Sequence, residues 1–600
     1  MTVSPVKTLK RGLIAAVLPL AVTFFVGAES LAQSGPVRLA PPVSLKPLSP
    51  ESQKQIQPEK GVIQPVEDLG STKGIQVDSL SAVNPESAGT ITAGTGGFPM
   101  DLWQGTDRNL VERLLPTLPG GLASPALRNV AKRLLLSMAT PPQGEARSNL
   151  LNMRIGRLAA MGDLISVGQL LQTVPNRTAS PALVKAEADA YFLTSDYPKA
   201  CGIVGEQILE SEELYWRKGF IFCQALAGEH AKAYLGAGLM RDEGIDEPVF
   251  FSLVDAIANK GTASLATLEG ADAMTIAMMR SAQAPLPKDS ILPDSPSLLR
   301  AIAVSPYLPV ETRLRVAEKA EAAGSLDISA LRQIYGAVPF SEEDLEEPLS
   351  KAEEMGGAMG RAILYQAALG RTIPAALVEV LAKAIQVGEA DYLLPTTSRA
   401  FLPILKRISP DNEMLPFAPM AIRMFMTVGD VQSASGWYRL LRAGAVFEEV
   451  YRSAYMNLLP LARVSDGEGI IGAPSGFLSD WWRLNRGLEE GPRKAHLFFV
   501  LADALEGSVT RARWNDLLQG DLSASPRYAP PAPVWYALDE AADQGKLGET
   551  LLYALIGMGS ARPGEIEPMF LSIVLKSFIK VGLEKDARAL ALEAALGAGL

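Results

Sequence analysis

The sequence predicts an all-α fold of stacked helix-turn-helix repeats behind a disordered N-terminal linker. Three observations predict it. From Trp103 onward apolar residues recur at helical spacing, with short Gly- or Pro-containing turns between the runs. Sustained apolar/polar alternation, the mark of half-buried strands, is hard to find. Between residues 149 and 244 a helix-turn-helix pattern returns every 33 residues.

The N-terminus has the three parts of a secretory signal. Lys7, Lys10 and Arg11 form a positive region, residues 12–28 an uncharged apolar run, and Ser30-Leu31-Ala32 the small residues a signal peptidase reads. A signal peptide over 1–32 is expected, leaving Gln33 as the mature N-terminus. The alternative is an uncleaved anchor, but the run falls short of the roughly 20 residues a span needs, and Pro19 interrupts it. No Cys stands at the boundary to carry a lipid, and Arg11 lacks the neighbouring Arg of a twin-arginine signal. Residues 33–98 read as a Pro/Gly-rich linker, punctuated by Pro36, Pro41, Pro42, Pro47, Pro50, Pro58 and Pro65. Such a composition buries too little apolar area to offset the entropy of ordering. Val62-Ile63, Ile75 and Val77 are its apolar exceptions and the alternative there is a binding strip.

The chain has 600 residues, a formal charge of −10 and only 6% aromatics. That charge opposes nucleic-acid binding, which needs clustered Lys and Arg. The mean hydropathy of +0.13 comes without any later run long enough to span a bilayer. It therefore points to helices buried on more than one side. The organisation expected is an N-terminal helical region with repeats at 99–245, an irregular helical region at 246–414, and a C-terminal helical region with weaker repeats at 415–600. Ser124-Pro125, Ser180-Pro181 and Ser295-Pro296 each place a capping hydroxyl before a proline at the first helical position. The last four residues, Gly597-Ala598-Gly599-Leu600, read as a frayed helix end.

The repeat turns are Gly162-Asp163-Leu164-Ile165-Ser166-Val167, Ser195-Asp196-Tyr197-Pro198-Lys199-Ala200 and Gly228-Glu229-His230-Ala231-Lys232-Ala233. Val167, Ala200 and Ala233 are equivalent. Period and pattern resemble the tetratricopeptide repeat, whose unit is about 34 residues. In the middle unit Ala188, Tyr191 and Ala200 fall where that family places a small, an aromatic and a small residue. Weaker copies lie at Met426-Thr427-Val428-Gly429-Asp430, leading into Ala434, Trp437 and Tyr438, and at residues 581–587. The resemblance implies an α-solenoid whose concave face holds peptides or partner domains, and implies no activity. In this frame Cys201 opens the second helix of one unit and Cys223 nears the end of the first helix of the next, at similar height. They form either a disulfide or two small buried thiols.

No catalytic residue, cofactor or metal site is expected. The two histidines, His230 and His496, are far apart and lack ligand spacing. Gly467-Glu468-Gly469-Ile470-Ile471-Gly472 matches a dinucleotide glycine pattern but follows a helix instead of a strand. Gly236-Ala237-Gly238-Leu239-Met240 resembles part of a lytic transglycosylase motif, yet Arg241 replaces the polar residue expected next and no Glu-Ser pair stands at the right distance. Glu342, Glu343, Asp344, Glu346 and Glu347 behind Ser341 read as a solvated helix start. Asn176-Arg177-Thr178 is a glycosylation sequon, relevant only in a host that glycosylates exported proteins. Trp481, Trp482 and Tyr191 are the candidate partner contacts. The function expected is that of a periplasmic or secreted scaffold binding protein partners in a bacterial-type cell envelope, with no membrane span after signal cleavage. The alternative is a cell-wall-acting enzyme using a carboxylate pair.

Overall fold

The structure, a computed structural model, describes residues 84–600 apart from 175–179, 260, 262, 264, 266, 269, 288–294, 466–468, 473, 475, 508 and 519–526. The chain divides into Met1–Leu80 and a compact unit Ser81–Leu600, to which all the described residues belong. The signal, the linker up to residue 83 and the sequon lie outside the described residues.

The described residues form helices and connecting loops, with isolated bridges but no strand among them. The first group is α1 (Arg108–Leu114), α2 (Pro125–Leu136), α3 (Leu150–Ala160), α4 (Leu164–Gln172), α5 (Pro181–Thr194), α6 (Tyr197–Gln207), α7 (Leu214–Leu226), α8 (His230–Asp242) and α9 (Pro248–Asn259). Next come α10 (Ala273–Ser281), α11 (Pro296–Ala303), α12 (Val310–Ala322), α13 (Ile328–Gly336), α14 (Glu342–Glu346), α15 (Pro348–Met355), α16 (Gly357–Gly370), α17 (Pro374–Ala390) and α18 (Leu394–Leu405). The last group is α19 (Ala418–Thr427), α20 (Val431–Gly444), α21 (Glu449–Ser465), α22 (Phe477–Asn485), α23 (Gly491–Glu506), α24 (Arg511–Leu517), α25 (Ala532–Asp543), α26 (Leu547–Met558), α27 (Pro568–Lys580) and α28 (Glu584–Gly597). No helix among the described residues is long and apolar enough to cross a membrane.

One turn is built seven times among the described residues, once at Tyr392, where φ is 57° and the α18 N-cap Leu393 donates to Gly388 O at 2.7 Å, and six times as follows. Gly162, Ser195, Gly228, Gly429, Gly545 and Gly582 take left-handed backbone angles, with φ between 65° and 81°. The residue after each is the N-cap of α4, α6, α8, α20, α26 or α28. Its N–H donates to a carbonyl five residues back, in Leu158, Tyr191, Gln224, Phe425, Ala541 and Phe578, at 2.8–3.0 Å. This bond caps the outgoing helix while the same residue opens the incoming one, so two helices are joined tightly. Val167, Ala188, Ala200 and Ala233 are all buried where the paired helices meet. The Ser-Pro starts differ among themselves. Ser124 caps Leu127 N at 3.1 Å, whereas Ser180 Oγ accepts from Asn152 Nδ2 and Ser295 Oγ meets Ser297 Oγ.

α3–α4, α5–α6 and α7–α8 form successive pairs, and α9 packs on α7 and α8. Then α10 and α11 return to α5, with α11 also reaching α3, so the array is crossed instead of extended. Further on, α12, α13, α16 and α18 pack together, α19–α21 follow, and α23, α27 and α28 join them. Finally α26 and α28 pack on α2. An open stack contacts only its neighbours; here the beginning of the helical unit meets its end. Gly548 N donates to Leu102 O at 3.0 Å, and Gly548 lies so close to Trp103 that a Cβ would stand 2.4 Å from its Cε3.

Two expectations about the ends need correction. Residues 84–98 are packed, not linker: Arg108 holds both Glu86 oxygens at 2.6 and 2.8 Å, Arg154 donates to the carbonyls of Glu86 and Ala88, and Phe98 is buried. The C-terminus is not frayed, because Leu600 is buried and its N–H reaches Ala595 O at 3.0 Å. The closure and the repeated turn can be compared directly. Gly228 has open space around its absent Cβ, so Gly228→Ala should cost about 1 kcal/mol, the strain of a left-handed residue alone. Gly548→Ala should cost about 3 kcal/mol through collision with Trp103. Denaturant unfolding of the two variants measures the difference.

Candidate functional site

Closure brings together side chains that are hundreds of residues apart. Glu593 on α28 reaches the N-terminus of α2, where the Ser124 hydroxyl donates to one carboxylate oxygen and Ala126 N donates to the other at 2.8 Å. A carboxylate at this point satisfies an orphan helix N–H and meets the positive end of the dipole. Burial pushes the Glu593 carboxyl above its ordinary range, against the lowering pull of Ser124, Ala126, Arg128 and Arg399. Two turns away on α2, Arg133 holds both oxygens of Asp586 at 2.8 and 2.9 Å. Arg128 donates to Leu122 O and Ala322 O, tying α2 to α12, and burial brings its pKa down to about 10.

Beside this seam lies a cavity of 720 Å³, within the range of small-ligand sites. The start of α2, Arg399 of α18, the turn between α19 and α20, Ser465 of α21 and one face of α28 line it. Its apolar wall includes Met426, Val428, Val431, Leu592 and Leu596. Its charged groups are Arg399, Lys585, Arg588, Glu584 and Glu593. Arg399 is clamped by Glu321, with Nη2 at 2.8 Å from Oε2, and Thr396 Oγ1 donates to the same carboxylate at 2.6 Å. Arg588 Nε donates to Glu584 at 3.1 Å. A second hollow of 330 Å³ lies between α17 and α19, with Gln386, Glu389 and Arg423 in its lining.

The residues singled out in the sequence do not gather at this cavity. Cys201 and Cys223 are bonded to each other, with Cα atoms 5.7 Å apart, and the bridge ties α6 to α7. Trp481 is 2% exposed against Phe498, and Trp482 is 9% exposed. Neither ring offers a partner surface, because α22 turns both into the core. Tyr191 is half-buried beneath Lys199, whose Nζ lies 5.2 Å from the ring. His230 sits at the first position of α8 and His496 is exposed on α23. No group of three or more His, Cys, Asp or Glu able to hold a metal ion occurs among the described residues. Residues 236–240 are interior to α8, and the described part of the glycine run, from Gly469 to Gly472, lies between α21 and α22. Ser341 and Asp344 form a capping box at the start of α14, which accounts for the acidic cluster.

α8 has an unbalanced surface. Ala233, Ala237 and Met240 are buried, while Leu235 and Leu239, one turn apart, are 66% and 53% exposed. Sequence reading passed over these leucines as ordinary helix positions. It also passed over Glu593, although that residue is the one charge in the apolar run from Ala589 to Ala598. No family model, no curated protein and no solved structure matches this chain.

Two stability predictions come from these groups. Glu593→Ala strands Ala126 N–H and the Ser124 hydroxyl and should cost about 2 kcal/mol, and Glu593→Gln, which keeps an acceptor, less than half of that. Equilibrium unfolding reads both. The second concerns Asp189 on α5, which accepts from Tyr215 Oη at 2.7 Å with Lys185 and Asp272 nearby. Burial raises its pKa from 3.8 to about 6, so the folded state prefers the protonated form. That preference stabilises the fold below the ordinary pKa and is lost as pH rises through 6. Asp189→Asn should therefore gain stability over the wild type progressively between pH 4 and 6, by at most about 3 kcal/mol. Thermal midpoints of the pair across that window check the sign.

Proposed function

We propose that this chain is an exported helical scaffold that binds protein partners in a bacterial-type cell envelope. The observation that carries the reading is the exposed Leu235–Leu239 stripe on α8. A helix that is apolar on both faces has one face in its own core and the other available to a partner. α8 belongs to the three pairs whose turns repeat every 33 residues. In this reading those pairs act as a tetratricopeptide-like recognition module within a larger helical body. Export is supported by the signal-like N-terminus, and the Cys201–Cys223 bond suits an oxidising compartment. An enzyme acting through a carboxylate pair needs one carboxyl group free to pass a proton. Glu593 is held by Ser124 and Ala126, and Glu584 by Arg588.

The test is cross-linking in intact cells, followed by capture of the chain and identification of what is joined to it. The mature protein should begin at Gln33. Leu235→Asp with Leu239→Asp should lower the specific cross-linked product about tenfold while the unfolding midpoint stays unchanged. Capture of nothing, together with cleavage of cell-wall fragments by the purified chain, would overturn the scaffold reading.

A further inference from the structure

We propose that the 720 Å³ cavity beside α28 is a binding site for a small apolar carboxylate of the medium-chain fatty-acid class. The inference is independent of the α8 surface. Its first support is the division of the lining. Val428 and Val431 at the α19–α20 turn and Leu592 and Leu596 of α28 line one half-open volume, an apolar wall suited to a flexible hydrocarbon. The second is the charge at the same volume, where Arg399 and Arg588 are paired with Glu321 and Glu584, while Lys585 carries no ion pair among the described residues. Each carboxylate is already engaged, Glu584 by Arg588 and Glu593 by Ser124 and Ala126. The charge left for a ligand is the Lys585 ammonium. Lys585 is exposed at the rim, where a carboxylate head stays partly hydrated while its tail is buried.

The probe is decanoate below its micelle concentration, titrated calorimetrically into the whole mature chain, with decanol and sulfate as comparators. Decanoate should bind with one-to-one stoichiometry and raise the thermal midpoint, and decanol should bind about tenfold more weakly. Lys585→Glu, a change at an exposed position, should weaken decanoate about tenfold and leave decanol unchanged. Val428→Trp, which fills the apolar part, should abolish both. The proposal is overturned if decanoate does not bind, if decanol binds equally well, or if neither variant changes the affinity. Displacement of decanoate by equimolar sulfate would also overturn it, since a bare anion site needs no hydrocarbon wall.

Discussion

The contact on which the rest of the helical unit depends is the Glu593 carboxylate in the N-terminus of α2. It joins residues 469 positions apart. Through it the last helix caps one of the first. A charged hydrogen bond of this kind contributes about 1.5–3 kcal/mol, too little to close so long a chain alone. It works with apolar packing, because Leu590, Ala591 and Ala594 on α28 are buried alongside Leu127, Val130 and Leu134 on α2. What the polar contact adds is register. Arg133–Asp586 and Ser124–Glu593 are two fixed points on the same pair of helices, and sliding α28 by one turn breaks both.

A similar logic holds the middle. Glu318 and Glu321 lie three apart on α12 and are both buried. Glu318 takes Arg361 of α16 through two hydrogen bonds at 2.8 and 2.6 Å and accepts from Tyr335 of α13. Glu321 takes Arg399 of α18. One helix face thus fixes three neighbours. Buried pairs of this sort contribute little net stability, since desolvation cancels much of their attraction, but removing one partner strands a charge. Arg128, which donates to Ala322 O at the end of α12, links this centre to the closing seam. The two ionic systems are therefore parts of one continuous frame.

The legible and illegible parts of this fold divide by sequence distance. The 33-residue turn could be read because Gly162, Asp163, Gly228 and Glu229 carry its pattern within adjacent residues: a residue tolerant of positive φ and an acid at the N-cap position. The copy at Gly545-Lys546 was not read from the sequence, although its backbone bond is the same. The Ser124 cap was legible from its proline, but the second acceptor at that hydroxyl was not, since nothing near Ser124 points to residue 593. Trp481 and Trp482 show the opposite error. Both were candidate partner contacts, and tertiary packing buries both rings, Trp481 against Phe498. The loss of period after Gly244 also has a tertiary cause. Arg280 of α10 donates to the Leu193 carbonyl of α5 and to Ala301 O of α11, which pins the returning helices across the array.

The cavity is a consequence of the closing seam and exists only when the seam is made. Its walls come from α2, α18, the α19–α20 turn, Ser465 of α21 and α28, so early and late helices both contribute. The unclosed chain has no such site, so any molecule that fills it binds the closed state alone. Mass action then stabilises closure by RT ln(1 + [L]/Kd), about 2.7 kcal/mol at a hundredfold excess over Kd. That is comparable with the Glu593 contact itself. Occupancy and the α2–α28 register are thereby coupled, and the coupling is reciprocal. A variant that loosens the seam without touching the lining must weaken the site by the same free energy that the ligand returns to the seam. Arg133 and Asp586 are suited to expose this linkage, because they fix the register from outside the cavity wall.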